Sequence, residues 1–306
     1  MFVTIKNVSK WFGDVIALNN ISIDLEHGAI GLVGLNGAGK TTLIKILNGL
    51  LKPTEGTVKI YGQNVWGNLD LFSKIGYCPE IDNQMNYLTG LKFVQYNLQL
   101  HGYSRQEAIR KAQDVLERLN MTTAMTRKIK GYSRGMRQRV KVAQAIAHDP
   151  AILLLDEPLQ GLDPIGRYEL TTLFNELIKE GKDLIVSSHV LHELEKVSQT
   201  IVFIDHGKIL GKSNISDLRA TLKEIPQRFL IKTDKPVKLA QQLLPYKLID
   251  DVQLKDNEII IGVKNVQEFS FKLIEVAKET HAEIKELRPL DESLEAVFDY
   301  IYRGNY

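Results

Sequence analysis

The chain has one cysteine, Cys78, in 306 residues. A single thiol excludes an intrachain disulfide and a multi-cysteine metal site, and it fits a reducing compartment. Long apolar runs are also missing. The most obvious one, Ala151–Leu155, is far shorter than the roughly 20 apolar residues a bilayer-spanning helix takes. The opening MFVTIKNVSKWF lacks the apolar core of a secretory leader. Net charge is small, with 39 Lys plus Arg against 37 Asp plus Glu, so nothing electrostatic favours wrapping nucleic acid. Internal repeats and low-complexity linkers are absent too. The expectation is a cytoplasmic protein whose membrane role, if it has one, comes through a partner.

What is present is an ordinary globular composition, 44% hydrophobic and 25% charged, and a length that fits two compact domains. The first two hundred residues alternate β-branched runs with helical patterns, which predicts an α/β sheet with crossover helices. Strands are expected at Phe2–Val8, Ile30–Val33, Thr57–Tyr61, Ile75–Cys78, Ile152–Leu155, Leu184–Ser187 and Thr200–Ile204. From residue 81 to 149 strand signals stop. Ala108, Ile109, Ala112, Val115, Leu116 and Leu119 recur at helical spacing, so an all-helical insertion is expected there. Pro164 suits a first-turn position, with Leu170, Leu173, Phe174, Leu177 and Ile178 on one face of the helix that follows. These elements place a first domain at residues 1–220.

Past a boundary near Pro226 the order becomes strand, helix, two strands, helix and strand: Arg228–Thr233, Val237–Leu244, Lys247–Leu254, Glu258–Val263, Val266–Glu279 and Ala282–Leu287. That order predicts a small α+β, ferredoxin-like accessory domain over residues 226–306. A last amphipathic helix would carry Leu294, Val297, Phe298 and Ile301. An RNA-binding version should interleave aromatics on its central strands, and Glu258–Val263 has none. Subunit association or docking is the reading preferred for this domain, beside plain packing.

Gly34-Leu35-Asn36-Gly37-Ala38-Gly39-Lys40-Thr41 is a glycine, four residues, a glycine, lysine and threonine, between an apolar strand and a helix expected at Thr42–Leu50. This is the P-loop pattern. Its glycines let backbone N–H groups curl around phosphate at the positive end of a helix. Gly34, Asn36, Gly37, Gly39, Lys40, Thr41 and Thr42 are therefore candidate nucleotide contacts. Lys40 would reach the β- and γ-phosphates and Thr41 would ligate Mg²⁺. Downstream, Ile152-Leu153-Leu154-Leu155-Asp156-Glu157 is a buried strand ending in two carboxylates. At the carboxyl end of a parallel strand, Asp156 can orient Mg²⁺ and Glu157 can activate a water against the γ-phosphate.

With these motifs in place, residues 1–215 resemble the nucleotide-binding subunit of ABC transporters. Tyr132-Ser133-Arg134-Gly135-Met136-Arg137-Gln138-Arg139 sits where that family carries its signature, keeping Ser133, Gly135, Gln138 and Arg139 and departing at Tyr132, Arg134 and Met136. Physically, Ser133 and the N–H groups near Gly135 open a helix and make an anion site. The resemblance implies that this site faces the γ-phosphate held by an opposite subunit, in a head-to-tail pair with two ATP molecules between. Leu159-Gln160-Gly161-Leu162-Asp163 resembles the D-loop, with Asp163 toward the partner. His189 looks like the switch histidine at the γ-phosphate. Phe12 matches the aromatic that stacks on adenine, with Trp11 competing.

Glu80, in Gly76-Tyr77-Cys78-Pro79-Glu80, stands where the family usually has the Q-loop glutamine and would lie near the metal; Gln84 comes four residues later. Cys78 reads as an inert strand-end residue. The resemblance thus implies a P-loop NTPase of ABC-cassette fold with a helical subdomain, an ATPase using ATP and Mg²⁺. Its partners would be a second copy or a paralogue and an integral-membrane permease of an exporter, at the inner face of the cell membrane, with no direct nucleic acid. A soluble ABC-type ATPase acting on ribosomes, nucleic acid or cluster assembly is the alternative.

Overall fold

The computed structural model describes residues 1–81, 86–217, 227–255 and 258–290. The chain divides into two compact units, Met1–Ile215 and Ser216–Tyr306. Gln84, Pro226 and the Leu294–Ile301 segment, all singled out from sequence, lie outside the described residues.

In the first unit, β1 (Val3–Phe12) and β2 (Val15–Leu25) form an antiparallel hairpin. With β4 (Glu55–Ile60) and β5 (Gln63–Asn64) they make a four-stranded sheet ordered β2-β1-β4-β5. The hairpin corrects the expectation of crossover connections from the outset. The reason lies in its register, which shifts between Ile5 and Val8, Val8 and Lys10, and Lys10 and Trp11. Such bulges break the two-residue alternation. In β2 the buried residues are therefore Leu18, Ile21 and Leu25, a spacing that imitates a helix.

The second sheet of this unit holds β3 (Ala29–Val33), β6 (Ile75–Cys78), β7 (Ile152–Asp156), β8 (Asp183–Ser188), β9 (Thr200–Asp205) and β10 (Lys208–Asn214). Its order is β10-β9-β3-β8-β7-β6, parallel from β9 to β6 and antiparallel at β10. Every residue of β3, β7 and β8 is buried, as continuous apolar runs covered on both faces require. The two sheets are joined at Asp183. One of its oxygens takes the Tyr61 hydroxyl at 2.9 Å and His27 Nδ1 at 2.9 Å, and the other takes Gly28 N–H at 2.7 Å.

Helix α1 (Lys40–Leu47) follows β3. It starts earlier than Thr42 and stops before Leu50, because Gly49 turns left-handed at φ +69°. After the short α2 (Leu69–Phe72), α3 (Gly90–Leu100), α4 (Arg105–Arg118) and α5 (Arg134–Ile146) fill the expected helical region. Side chains cap all three: Thr89, Ser104 in a reciprocal capping box with Glu107, and Ser133. Ala108, Ala112 and Leu116 are fully buried. Asp163 caps α6 (Pro164–Lys179) ahead of Pro164, and α7 (Leu191–Leu194) follows β8.

The second unit runs β11 (Gln227–Thr233), α8 (Pro236–Leu243), β12 (Ile249–Lys255), β13 (Glu258–Val263), α9 (Val266–Thr280) and β14 (Ile284–Pro289). Its antiparallel sheet is ordered β12-β13-β11-β14. Phe229, Ile231, Ile259 and Ile261 from the strands share a core with Leu239, Leu243, Phe269 and Leu273 from the helices. β14 begins later than Ala282 because His281 adopts the left-handed region at φ 51° and Ala282 N–H closes the helix onto the Ala277 carbonyl.

Candidate functional site

The glycine-rich loop leaves the end of β3 and enters α1. Gly34 and Gly39 are required there for different reasons. A Cβ on Gly34 would collide with the Ile204 carbonyl, so the loop can pass β9 only as bare backbone. Gly39 sits at φ +109°, where a Cβ would also stand 2.8 Å from the Ala17 carbonyl. No side chain caps α1 and no acidic residue occupies its first turn, which leaves its leading N–H groups for an anion. Lys40 is buried. Its ammonium donates to the Gly34 and Leu35 carbonyls at 2.6 and 3.2 Å and lies 3.4 Å from Glu157 Oε1.

The acidic end of β7 meets this loop. Asp156 is fully buried, and Ser187 on β8 donates to its Oδ1 at 2.7 Å. The same Ser187 oxygen accepts Glu157 N–H at 2.9 Å and so braces the turn where Glu157 takes a left-handed φ of 49°. Strain of this kind is common where a chain aims a side chain into a reaction centre. His189 Nδ1 lies 3.1 Å from Glu157 Oε2. Burial pushes the Glu157 carboxyl above its ordinary range; the nearby Lys40 and His189 pull it back in part. Asp156 Oδ2 is buried with no hydrogen-bond partner, and Glu157 Oε1 has the Lys40 ammonium at 3.4 Å.

These parts enclose a cavity of about 300 Å³ lined by Asn36, Gly37, Gly39, Lys40, Thr41, Thr42, Glu80 and Glu157, with Val15 and Ile16 at one side. The Thr41 hydroxyl donates to Glu80 Oε2 at 3.5 Å. Ser133, Gly135 and Asp163 are not there. They line a different cavity of about 620 Å³ with Arg134 and Gly161. Ser133 Oγ accepts Met136 N–H, and Asp163 Oδ1 accepts Gly166 N–H, so both side chains cap helices that open on this second cavity. The expected site residues therefore form two groups within one chain. Phe12 lines neither: half exposed on β1, it pairs across the hairpin with Val15, which does.

Two residues that the sequence reading missed hold the site together. Ser187 was visible only as one of two serines before His189, inside a strand otherwise apolar. Lys141 was hidden in the middle of α5. It is buried, and its ammonium donates to the Glu80 carbonyl at 2.7 Å.

A comparison with known proteins decides the family. The profile of the family described as ABC transporter matches residues 18–160. The bacitracin transport ATP-binding protein BcrA of Bacillus licheniformis is 30% identical over 301 residues, covering 97% of this chain and 96% of that protein. The chain belongs to the ABC transporter ATP-binding family. The BcrA protein of Enterococcus faecalis is 38% identical over 216 residues, 70% of this chain and 69% of its own. Among solved structures, the dimeric post-hydrolysis state of an ATP-binding cassette bound to ADP and Pi superposes with a TM-score of 0.65 at 27% identity, covering 70% of this chain and 98% of that one. The fold is the ABC cassette, and the protein is an ATP-hydrolysing subunit of an ABC transporter that binds nucleotide. That solved cassette is described as dimeric. Among the described residues no helix is long and apolar enough to cross a membrane.

Mg²⁺ fits the residues present. Among the described residues no group of three or more His, Cys, Asp or Glu could hold a metal alone. Mg²⁺ is instead bound by one or two carboxylates together with phosphate oxygens and water. The unpartnered Asp156 Oδ2 would be one such oxygen, and Thr41 and Glu80, which line the phosphate-loop cavity, would add others.

Proposed function

We propose that two cassettes, two copies of this chain or one and a paralogue, close head to tail around two ATP molecules and drive export through a separate membrane permease. The observation that carries this reading is the division of site residues. The Lys40 cavity is lined by the glycine-rich loop and Glu157; the Ser133 cavity is lined by the start of α5 and by Asp163, without that loop. A nucleotide completing both needs a second subunit. The Bacillus licheniformis protein, named for bacitracin transport, covers nearly the whole chain and supports a transport role.

In this reading Lys40 exchanges its carbonyl contacts for β- and γ-phosphate oxygens, and the first N–H groups of α1 bind the same phosphates. Thr41, Asp156 and Glu80 would hold Mg²⁺, which when bound would neutralise phosphate charge. Glu157 accepts the proton of the attacking water at Oε1, its raised proton affinity making it a better base than an ordinary carboxylate. His189 orients Glu157 through Oε2 and reaches the γ-phosphate. Ser133, Gly135 and Asp163 meet the partner's nucleotide and subunit, and Phe12 stacks on adenine. Residues 226–306 serve subunit association or docking.

The test is Glu157→Gln. The variant should bind ATP like the parent protein and accumulate as an ATP-dependent dimer in size-exclusion chromatography with light scattering. Turnover at the parental rate in that variant would remove Glu157 as the base.

A further inference from the structure

Helix α5 starts at Ser133 beside the second cavity, and its buried middle grips the strand that leads to Glu80 in the first. Gln138 and Lys141, one turn apart on the helix, both take part in the grip. Gln138 Nε2 lies 3.7 Å from Cys78 Sγ at the end of β6, and Lys141 Nζ donates to the Glu80 carbonyl at 2.7 Å. Around Lys141 the helix buries Val140, Val142, Ala143 and Ala145. A lysine ammonium in such surroundings is costly to desolvate and persists only with a compensating partner.

Glu80 puts a carboxylate where the resemblance expects a neutral amide, close to Thr41 and to where phosphates would lie. Tyr77, on the same strand, has its hydroxyl held above the usual range by burial first, then by Asp156, Cys78 and Glu80. An ammonium anchored to the main chain of Glu80 limits where the carboxylate can go.

We propose that Lys141 is a positioning residue for the metal–phosphate site, fixing the main chain of Glu80 so that its carboxylate stands beside Thr41. This rests on the reading of Thr41 and Glu80 as flanking Mg²⁺ and ATP. Lys141 touches neither substrate nor metal. Because it rides on the helix that begins with Ser133, it also ties the position of Glu80 to that of the second cavity.

The test uses the full chain in the Glu157→Gln background, so that no turnover intervenes, with Mn²⁺ as the spectroscopic probe. Electron paramagnetic resonance gives the Mn²⁺ affinity in the presence of ATP, and equilibrium dialysis with EDTA gives ATP binding without metal. Lys141→Met should weaken Mn²⁺ about tenfold, the effect of one lost charge-assisted contact, while metal-free ATP binding stays unchanged. Lys141→Arg should restore most of the affinity. Adding Glu80→Gln should shrink the Lys141→Met effect to less than about twofold, since coupled residues are non-additive. Unchanged Mn²⁺ affinity in Lys141→Met, or an equal loss with and without Glu80→Gln, overturns the proposal. Should Lys141→Met not fold, Glu80→Gln alone decides: unaltered Mn²⁺ affinity there leaves Lys141 nothing to position. Failure of the Glu157→Gln parent to bind Mn²⁺ with ATP would instead count against the site reading itself.

Discussion

Ser187 donates to Asp156 Oδ1 at 2.7 Å in the fully buried centre of the parallel sheet. The same oxygen accepts Glu157 N–H at 2.9 Å, so one hydroxyl on β8 sets both carboxylates at the end of β7. Asp156 Oδ2 is buried without a hydrogen-bond partner.

Ser187→Ala removes the donor to Asp156 and the acceptor for Glu157 N–H at once. Leaving buried polar groups unpaired costs about 1–3 kcal/mol, and urea unfolding should show that loss. The Glu157 turn, already left-handed, also loses its brace. kcat for ATP hydrolysis should fall roughly 10- to 100-fold, as expected for small misplacements of a reacting group. A stability loss with unaltered kcat would show that Ser187 holds the sheet and not the site.

His189→Ala removes the hydrogen bond to Glu157 Oε2 and a neighbour that favours the ionised carboxylate. Burial, already the largest influence on Glu157, then acts with less opposition, so its proton affinity rises further. A base must be deprotonated to work, and the acid limb of kcat/KM should move to higher pH in the variant. A pH–rate profile checks this; a lower plateau with the limb in its original place would confine His189 to phosphate contact.

How far the sequence reached depends on how local each signal is. The P-loop needs only eight consecutive residues, and the strand–acidic end only six, so Lys40, Thr41, Asp156 and Glu157 could be read directly. The helix start at Ser133 and Pro164 at the start of α6 were equally local. Hairpin β1–β2 was not, because its bulges gave Leu18, Ile21 and Leu25 a helical spacing. Ser187 and Lys141 escaped for another reason. Each acts on a residue far away in sequence, across the sheet in one case and between helix and strand in the other. No spacing rule contains such a contact. The separation of Ser133, Gly135 and Asp163 from Lys40 within one chain is in no spacing rule either; the family resemblance alone implied it.

Gly34→Ala tests the loop by steric means. The added methyl would meet the Ile204 carbonyl, which is main chain of β9 and cannot rotate away. Relief must come from moving the loop, at a cost of about 1–3 kcal/mol for overpacking of this kind. Nucleotide affinity measured by isothermal titration should drop more than the unfolding midpoint does, because the loop can shift without unfolding the sheet. Gly13→Ala meets no atom within 4 Å and serves as the control for a glycine outside the loop, although its own φ of +58° carries some strain.

The last prediction concerns acid stability and a histidine pair away from the nucleotide. The rings of His101, at the end of α3, and His148, just after α5, stack 3.9 Å apart, inclined by 11°. His148 Nε2 lies 3.1 Å from the Ile75 carbonyl, so Nε2 carries the proton, and Nδ1 is buried without a partner. Burial, then the neighbouring His101, lower His148 to about 4; the Ile75 carbonyl and Asp149 work the other way, and Lys182 reinforces the lowering. Burial also lowers His101. The unfolded chain therefore takes up a proton near pH 6.5 while the folded chain declines it. Stability is unaffected above that pH, falls as pH drops from about 6.5 to 4, and levels off once both states are protonated. For His148 alone the drop approaches about 3 kcal/mol. His148→Gln keeps a donor for the Ile75 carbonyl and cannot titrate. Urea unfolding of the two proteins at pH 7.5 and 4.5 should show the parent losing more stability than the variant over that interval; equal losses would place the acid sensitivity elsewhere.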